Sequence, residues 1–338
     1  MSEAPPITRD PDLWFEDGNL VIQVAPRLFR LHRGILAAHS NFFRNMADFP
    51  ASQEQSTYDG VPFVILHDDN AHDAGHFFKA IYIFDYFSSP PARVTFEAIE
   101  GVLRFAHKYD ALSLRRCALR HLSVTCVTEL DKLTSTPDRT YPDPHSMLPE
   151  MKTIIGLAHE VQAEWLLPMA YYHASVNYSA KGLDRTEEWL HRPRLLPHDD
   201  VLNCVTGIAA LCREFPLFMF TKTTLGCKTD ACLRKRLKGF SSEDLKDFEV
   251  GPLTYFTAWV NGTLDGDAKS DLDDLCNVCL LDLRSRYNAW LEVVWNRLPS
   301  MFDLPDWEKL RQAKQRDLVP ESTAPLLSGH DDGSTDNQ

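Results

Sequence analysis

Apolar residues recur with two periods along the N-terminal part of the chain. Leu20, Ile22 and Val24 alternate with Val21 and Gln23, "APR" follows, and a second short run ends at His32. A period of two on both sides of a short break predicts a β-hairpin. From Gly34 the spacing changes to that of a helix, with Ile35, Leu36, His39, Phe42, Phe43 and Met46 on one side and Arg33, Asn41 and Arg44 elsewhere. "VPFVILHDD" reads as a third strand, and "AGHFFKAIYIFDYF" as a helix burying Phe77, Phe78, Ile81 and Phe84, closed by Pro90 and Pro91. Two further helices follow, with inner stripes Phe96, Ile99, Leu103, Ala106 and Leu114, Cys117, Ala118, Leu122.

The pattern then stops. Residues 131–149 carry prolines at 137, 142, 144 and 149 and few apolar positions, which predicts a linker between two domains. Beyond it, Ile154, Ile155, Ala158, Val161 and Trp165 fall at helical spacing, as do Val201, Val205, Ile208 and Leu211 after an acidic start. The segment 150–318 is therefore expected to be mainly helical. Residues 1–11 read as an N-terminal tail, and 319–338, acidic and poor in large apolar residues, as a disordered one.

Composition narrows the class. With 338 residues, 44% of them hydrophobic, the chain can bury a substantial core. Its net charge of -13 opposes broad neutralisation of phosphates or of an anionic membrane, so nucleic acid and membrane surfaces are poor partners. The start "MSEAPPITRD" has no basic region followed by an apolar one, and no apolar run is long enough to span a bilayer. These features predict a protein of the cytoplasm, the nucleus or both, with cysteines as thiols or metal ligands rather than disulfides.

No enzyme signature is visible. The chain has no Gly-x-Ser-x-Gly elbow, phosphate loop or Gly-x-Gly-x-x-Gly turn. "AHEVQA" resembles the start of a zinc-protease helix, but Ala163 stands where the second histidine is needed. His32 and His39 lack the one-turn spacing of a helical ligand pair and read as packed residues. Asp199 and Asp200 sit at an expected helix start, where they favour the dipole.

The sharpest chemical feature is cysteine spacing. "CKTDAC" places Cys227 and Cys232 on a polar loop, and "CNVC" places Cys276 and Cys279 at the start of a long helix. Four thiols in two pairs suit a closed structural Zn2+ site, because tetrahedral zinc takes four soft ligands and a helix N-terminus favours thiolates. The alternative is buried thiols, since Cys276 and Cys279 share a stripe with Leu280, Leu283, Tyr287 and Trp290. Lys222, Lys228, Arg234, Lys235, Arg236 and Lys238 form a basic cluster around the first pair. It reads as a solvated face, or else as a nucleic-acid contact.

Strand, strand, "LFRLHRGILAAHSNFFRNM", strand, an aromatic-rich helix and "VLRFAHKYDALSLRRCALRHL" together resemble a BTB/POZ domain over residues 12–130. The resemblance rests on Phe29, His32 and Leu36, on Ser40 and Phe43 one step out of some family versions, and on the A-x-K-Y of Ala106, Lys108 and Tyr109. The form of the chain is similar to a set of fungal BTB proteins. The resemblance implies a small sheet capped by helical hairpins, and a module for protein–protein interaction and dimerisation. His32 matches a packed histidine at the end of a strand, and Asp17 an acidic position before the first strand.

Trp14 and Phe15, ahead of that strand, together with Asp17, His32, Phe43 and Met46, are the interface residues the resemblance implies. Cullin-binding relatives carry a hydrophobic-x-Glu motif, and none can be placed between Val64 and Pro91. The combined expectation is an α+β BTB/POZ-like domain joined to a helical domain. Its role would be an adaptor or scaffold that self-associates, with a cullin-type ubiquitin ligase as a further partner. The alternative is a zinc-stabilised transcriptional regulator using the basic cluster at 222–238.

Overall fold

In the computed structural model, the described residues are 6–48, 56–134, 150–180, 196–223, 253 and 276–320. The N-terminal unit contains strands β1 (Thr8–Trp14), β2 (Leu20–Val24), β3 (Arg27–Leu31), β4 (Thr57–Tyr58) and β5 (Val61–Ile65). They form one mixed sheet in the order β1-β3-β2-β5-β4. The expected hairpin is β2–β3, antiparallel with Ile22 opposite Phe29. β5 joins it parallel to β2, which requires a crossover, and the helical segment between β3 and β5 supplies one.

β1 starts inside the segment expected to be a tail. It pairs in parallel with β3, with a register shift between Arg9 and Trp14 around Pro11. Proline suits such an irregular edge because it has no N–H to donate. Asp10 is buried here and its carboxylate accepts from Arg27 at 3.0 Å, an anchor that the apolar pattern of the sequence does not contain. Trp14 thus ends the first strand and Phe15 follows it, rather than both preceding it.

The helices of this unit are α1 (Arg33–His39), α2 (Asn41–Asp48), α3 (Ala71–Tyr82), α4 (Phe96–Lys108), α5 (Leu112–Thr125) and α6 (Leu130–Thr134). The single helix expected from Gly34 to Met46 is two helices, broken at Ser40, whose backbone is extended. Ser40 is buried, donates its hydroxyl to the Tyr109 carbonyl and accepts from the Phe43 amide at 3.2 Å. The break satisfies polar groups at both ends. It also re-aims the stripe. Leu36 and Phe43 are buried, while Ile35 and Phe42 are 39% and 43% exposed.

The A-x-K-Y positions have a clear packing role. Ala106 is fully buried, and Lys108 and Tyr109 both donate to Asp69 in the loop before α3. Asn70 then caps α3 by accepting from the amides of His72 and Asp73. Tyr109 stacks on Phe43 at 5.5 Å, so one residue joins the α3, α4 and α2 regions.

The C-terminal part is helical, as expected: α7 (Met151–Glu160), a 3-10 turn (Glu164–Leu166), α8 (Leu167–Ala180), α9 (His198–Thr223), α10 (Asn277–Met301) and α11 (Trp307–Leu318). The stripe from Ile154 to Trp165 is buried throughout but spans a break, with Gln162 in the left-handed region at φ 57°. α9 presents Asp200, Cys204, Gly207 and Leu211 inward, while Val201 and Val205 are exposed. Of the expected stripe Val201, Val205, Ile208 and Leu211, the first two are thus replaced by Asp200 and Cys204 one residue earlier, Ile208 is half-buried against the core and Leu211 is buried as expected.

Two apolar cores result. One lies between the sheet and α1–α4, around Ile22, Phe29, Leu36, Phe43, Phe77 and Phe78. The other is shared: Val102, Leu103, Leu119 and Leu122 of α4 and α5 join Ile154, Trp165, Tyr171, Tyr287, Trp295 and Phe302 of the C-terminal helices. The expected linker begins within α6, and its remaining residues, 135–149, lie outside the described residues, as do 321–338 of the expected tail. No helix among the described residues is long and apolar enough to cross a membrane.

Candidate protein-interaction surface

Three of the expected interface residues, Phe15, Asp17 and His32, meet at one corner of the N-terminal unit. Phe15 directly follows β1, Asp17 lies in the turn before β2, and His32 stands between β3 and α1. His32 places Nε2 3.2 Å from an Asp17 carboxylate oxygen. Its backbone amide donates to the Tyr82 hydroxyl at 2.8 Å, and that hydroxyl returns a bond to the His32 carbonyl at 3.3 Å. Phe15 stacks on Tyr82 at 5.0 Å and lies 5.5 Å from the His32 ring. Burial pushes the Tyr82 hydroxyl up to about 12, against a smaller downward effect of the His32 backbone, so it stays a donor. Tyr82, absent from the sequence-based set, is the residue that holds this corner together.

Trp14 faces elsewhere. The Arg9 guanidinium sits 4.3 Å over its ring, Tyr58 meets it edge-on at 6.2 Å, and Arg9 pairs with Asp59 at 2.9 Å. The outer strands β1 and β4 are thereby drawn together at the Trp14 end. Phe43 does not belong to any surface, since it is buried between Tyr109 and Phe78. An interface role for its side chain is corrected to a core role. Met46 is half-buried at the end of α2, packed against the same core.

The apolar residues that do reach solvent are different ones. Ile35 and Phe42 stand out from α1 and α2, Phe42 resting edge-on against Tyr109 at 5.0 Å. A second protrusion follows α3, where Phe84 is 92% exposed and Ile83 is partly exposed. Phe84 was expected inside. α3 ends at Tyr82, and Asp85 adopts φ 63°, a conformation that Asp tolerates better than most residues, which turns Phe84 outward. The acidic residue interrupting the "IYIFDYF" run is the local signal for that turn.

Residues 16–124 match the family model described as BTB/POZ domain. This N-terminal unit is a BTB/POZ domain. Its small mixed sheet with covering helices is the architecture the resemblance implies, and such domains are protein–protein interaction modules. No curated protein and no solved structure matches the chain. The match takes in Asp17, His32 and Tyr82 of the corner, the α1–α2 face and the Phe84 turn.

The remaining expected sites fall in the C-terminal part. Cys276 is the exposed N-cap residue of α10 and Cys279 is buried one turn later. Cys227 and Cys232 lie outside the described residues, as does the basic cluster from Lys228 to Lys238. Among the described residues, no group of three or more His, Cys, Asp or Glu is arranged to hold a metal ion.

One polar cluster went unnoticed in the sequence. Asp200, expected as a charge at a helix start, is buried, accepts from the Tyr171 hydroxyl and lies 2.9 Å from His159 Nε2. Burial first, and then the hydrogen bond to Asp200, push the Tyr171 hydroxyl well above the ordinary tyrosine value. Histidine, carboxylate and phenol here join α7, α8 and α9.

Proposed function

We propose that the chain is an adaptor or scaffold that self-associates through the α1–α2 face of its BTB/POZ domain. The single observation that supports this reading is the exposure of Ile35 and Phe42 beside the buried pair Leu36 and Phe43. Exposed large apolar side chains on a rigid helical hairpin favour association because covering them removes apolar surface from water, at about 25 cal/mol per Å2. A two-fold pairing would use the same patch on both copies.

Light scattering on the full chain at micromolar concentration tests it. The expected mass is that of two chains, falling to one in Ile35→Asp, Phe42→Asp. A mass of one chain for the unaltered protein across that range overturns self-association.

Recruitment of a cullin-type ubiquitin ligase is the narrower form of the adaptor reading. Phe84 and Ile83, on a turn between Val64 and Pro91, offer an apolar anchor of the kind that dominates protein interfaces. Here Asp85, not glutamate, supplies the acidic group. Capture of a purified cullin by the full chain, reduced at least tenfold in Phe84→Ala, supports this form. Absence of capture by the unaltered chain removes it while leaving self-association standing.

A further inference from the structure

We propose that His72 and His76 on α3 form a two-imidazole chelate for a divalent transition-metal ion of the zinc or nickel class. The run "HDAGH" sets the two four positions apart, the one-turn spacing that His32 and His39 lack. On a helix that spacing brings side chains together on one face, about 5–6 Å apart at Cβ, where two histidines can share one ion. Both residues lie within α3, and their ring centroids are 4.4 Å apart, edge to face.

The inner ring has one nitrogen held and one unused. Nδ1 of His76 is bonded to the Tyr86 hydroxyl, whereas Nε2 is buried and has no hydrogen-bond partner among the described residues. A buried ring nitrogen left unpaired is costly, and a bound ion is one of the partners that relieve it. With Nδ1–H donating to Tyr86, the lone pair on Nε2 is the one available, the arrangement that orients a metal-bound histidine. Tyr86 is thus a positioning residue, acting on the ion only through the His76 ring.

The outer ring supplies the entry. His72 is exposed, and exposed side chains change rotamer within nanoseconds, so its ring can turn from edge-to-face packing to share an ion with His76. Asp73, next to it, is buried and paired with Arg104 at 3.2 Å, which keeps it out of the ligand set. Two protein nitrogens leave the other coordination positions to water, so the ion exchanges, unlike one in a closed four-ligand site. The site needs none of Cys227, Cys232, Cys276 and Cys279. Because the two rings are neighbours only on the helix, a bound ion stabilises the folded chain.

Titration calorimetry of the full chain with nickel chloride tests the proposal, nickel being a metal that imidazole suits. The expected result is one nickel ion fewer per chain in His72→Gln than in the unaltered protein. His72 is exposed, so that change leaves the fold in place, and nickel should raise the melting temperature of the unaltered chain more than that of the variant. Tyr86→Phe should bind the same ion about 10–100-fold more weakly, the usual cost of losing the partner that orients a ligand. The proposal is overturned if the unaltered chain takes up no nickel, or if His72→Gln binds as many ions with undiminished affinity. Equal affinity in Tyr86→Phe overturns the positioning role of Tyr86.

Discussion

Arg115 in α5 of the BTB/POZ domain and Asp317 in α11 form a largely buried ion pair at 2.8 Å, bridging 202 positions of sequence. The other Asp317 oxygen accepts from the Trp165 indole at 2.7 Å, so one carboxylate joins the domain, the 3-10 turn and the last helix. Lys314 reinforces the contact by donating to Thr128 and Glu129. Removing the carboxylate strands a guanidinium and an indole N–H together. Asp317→Ala is expected to lower unfolding stability by about 3 kcal/mol. Chemical denaturation checks it, and an unchanged midpoint would show that water replaces the carboxylate without loss.

The turn at Ser40 makes neighbouring apolar residues unequal. Leu36 has no exposed surface and belongs to the sheet-side core with Phe29 and Phe43, whereas Ile35 is 39% exposed. Leu36→Ala should cost about 2–5 kcal/mol through the cavity it leaves. Ile35→Ala should cost under about 1 kcal/mol in folding. Equal losses in parallel urea titrations would mean that the helix is rotated from the orientation described.

Acid should weaken the fold before carboxylates titrate. His121 is buried in α5 with its Nε2 2.8 Å from the Ser88 carbonyl, and burial lowers its pKa against the smaller upward effect of that carbonyl. His76 and His107 are lowered as well, chiefly by burial and then by His72 and Arg115 respectively. Between the folded values and the ordinary 6.5, the unfolded chain holds more protons. This contribution is therefore complete above 6.5 and lost as pH falls toward the folded values. Denaturation midpoints should drop between about pH 7.5 and 5.5, less steeply in His121→Gln. A flat profile for the unaltered protein would contradict the burial of these rings.

Gly207 lets α9 approach the end of α10. A Cβ built there would lie 2.0 Å from the Phe302 ring, which is fully buried and packs on Tyr171 at 5.5 Å. Gly207→Ala should destabilise by about 1–3 kcal/mol despite the better helix propensity of alanine. Thermal melts of Gly207→Ala with and without Phe302→Leu check the cause, since the smaller side chain should recover part of the loss.

Local pattern in the sequence determined the β2–β3 hairpin, the stripes of α4 and α5, and the helical character of the C-terminal part. Those signals depend only on side-chain alternation over a few residues, which the backbone period converts directly into a face. The A-x-K-Y run and the His32 position were legible through resemblance to the BTB/POZ domain. Tertiary structure alone decided which of two adjacent apolar residues turns inward. Ile35 and Leu36, or Phe42 and Phe43, are equally hydrophobic in sequence. The choice follows from Ser40 bonding to Tyr109, 69 positions away. β1 escaped the pattern because its anchors are the ion pair of Asp10 with Arg27 and a shifted register, neither of which alternates. The one-residue rotation at the start of α9 has the same origin: Asp200 is drawn inward by Tyr171 and His159, and Gly207 makes room for Phe302. Burying a polar group is tolerable only where distant partners satisfy it, and such partners are brought within reach only by the folded chain.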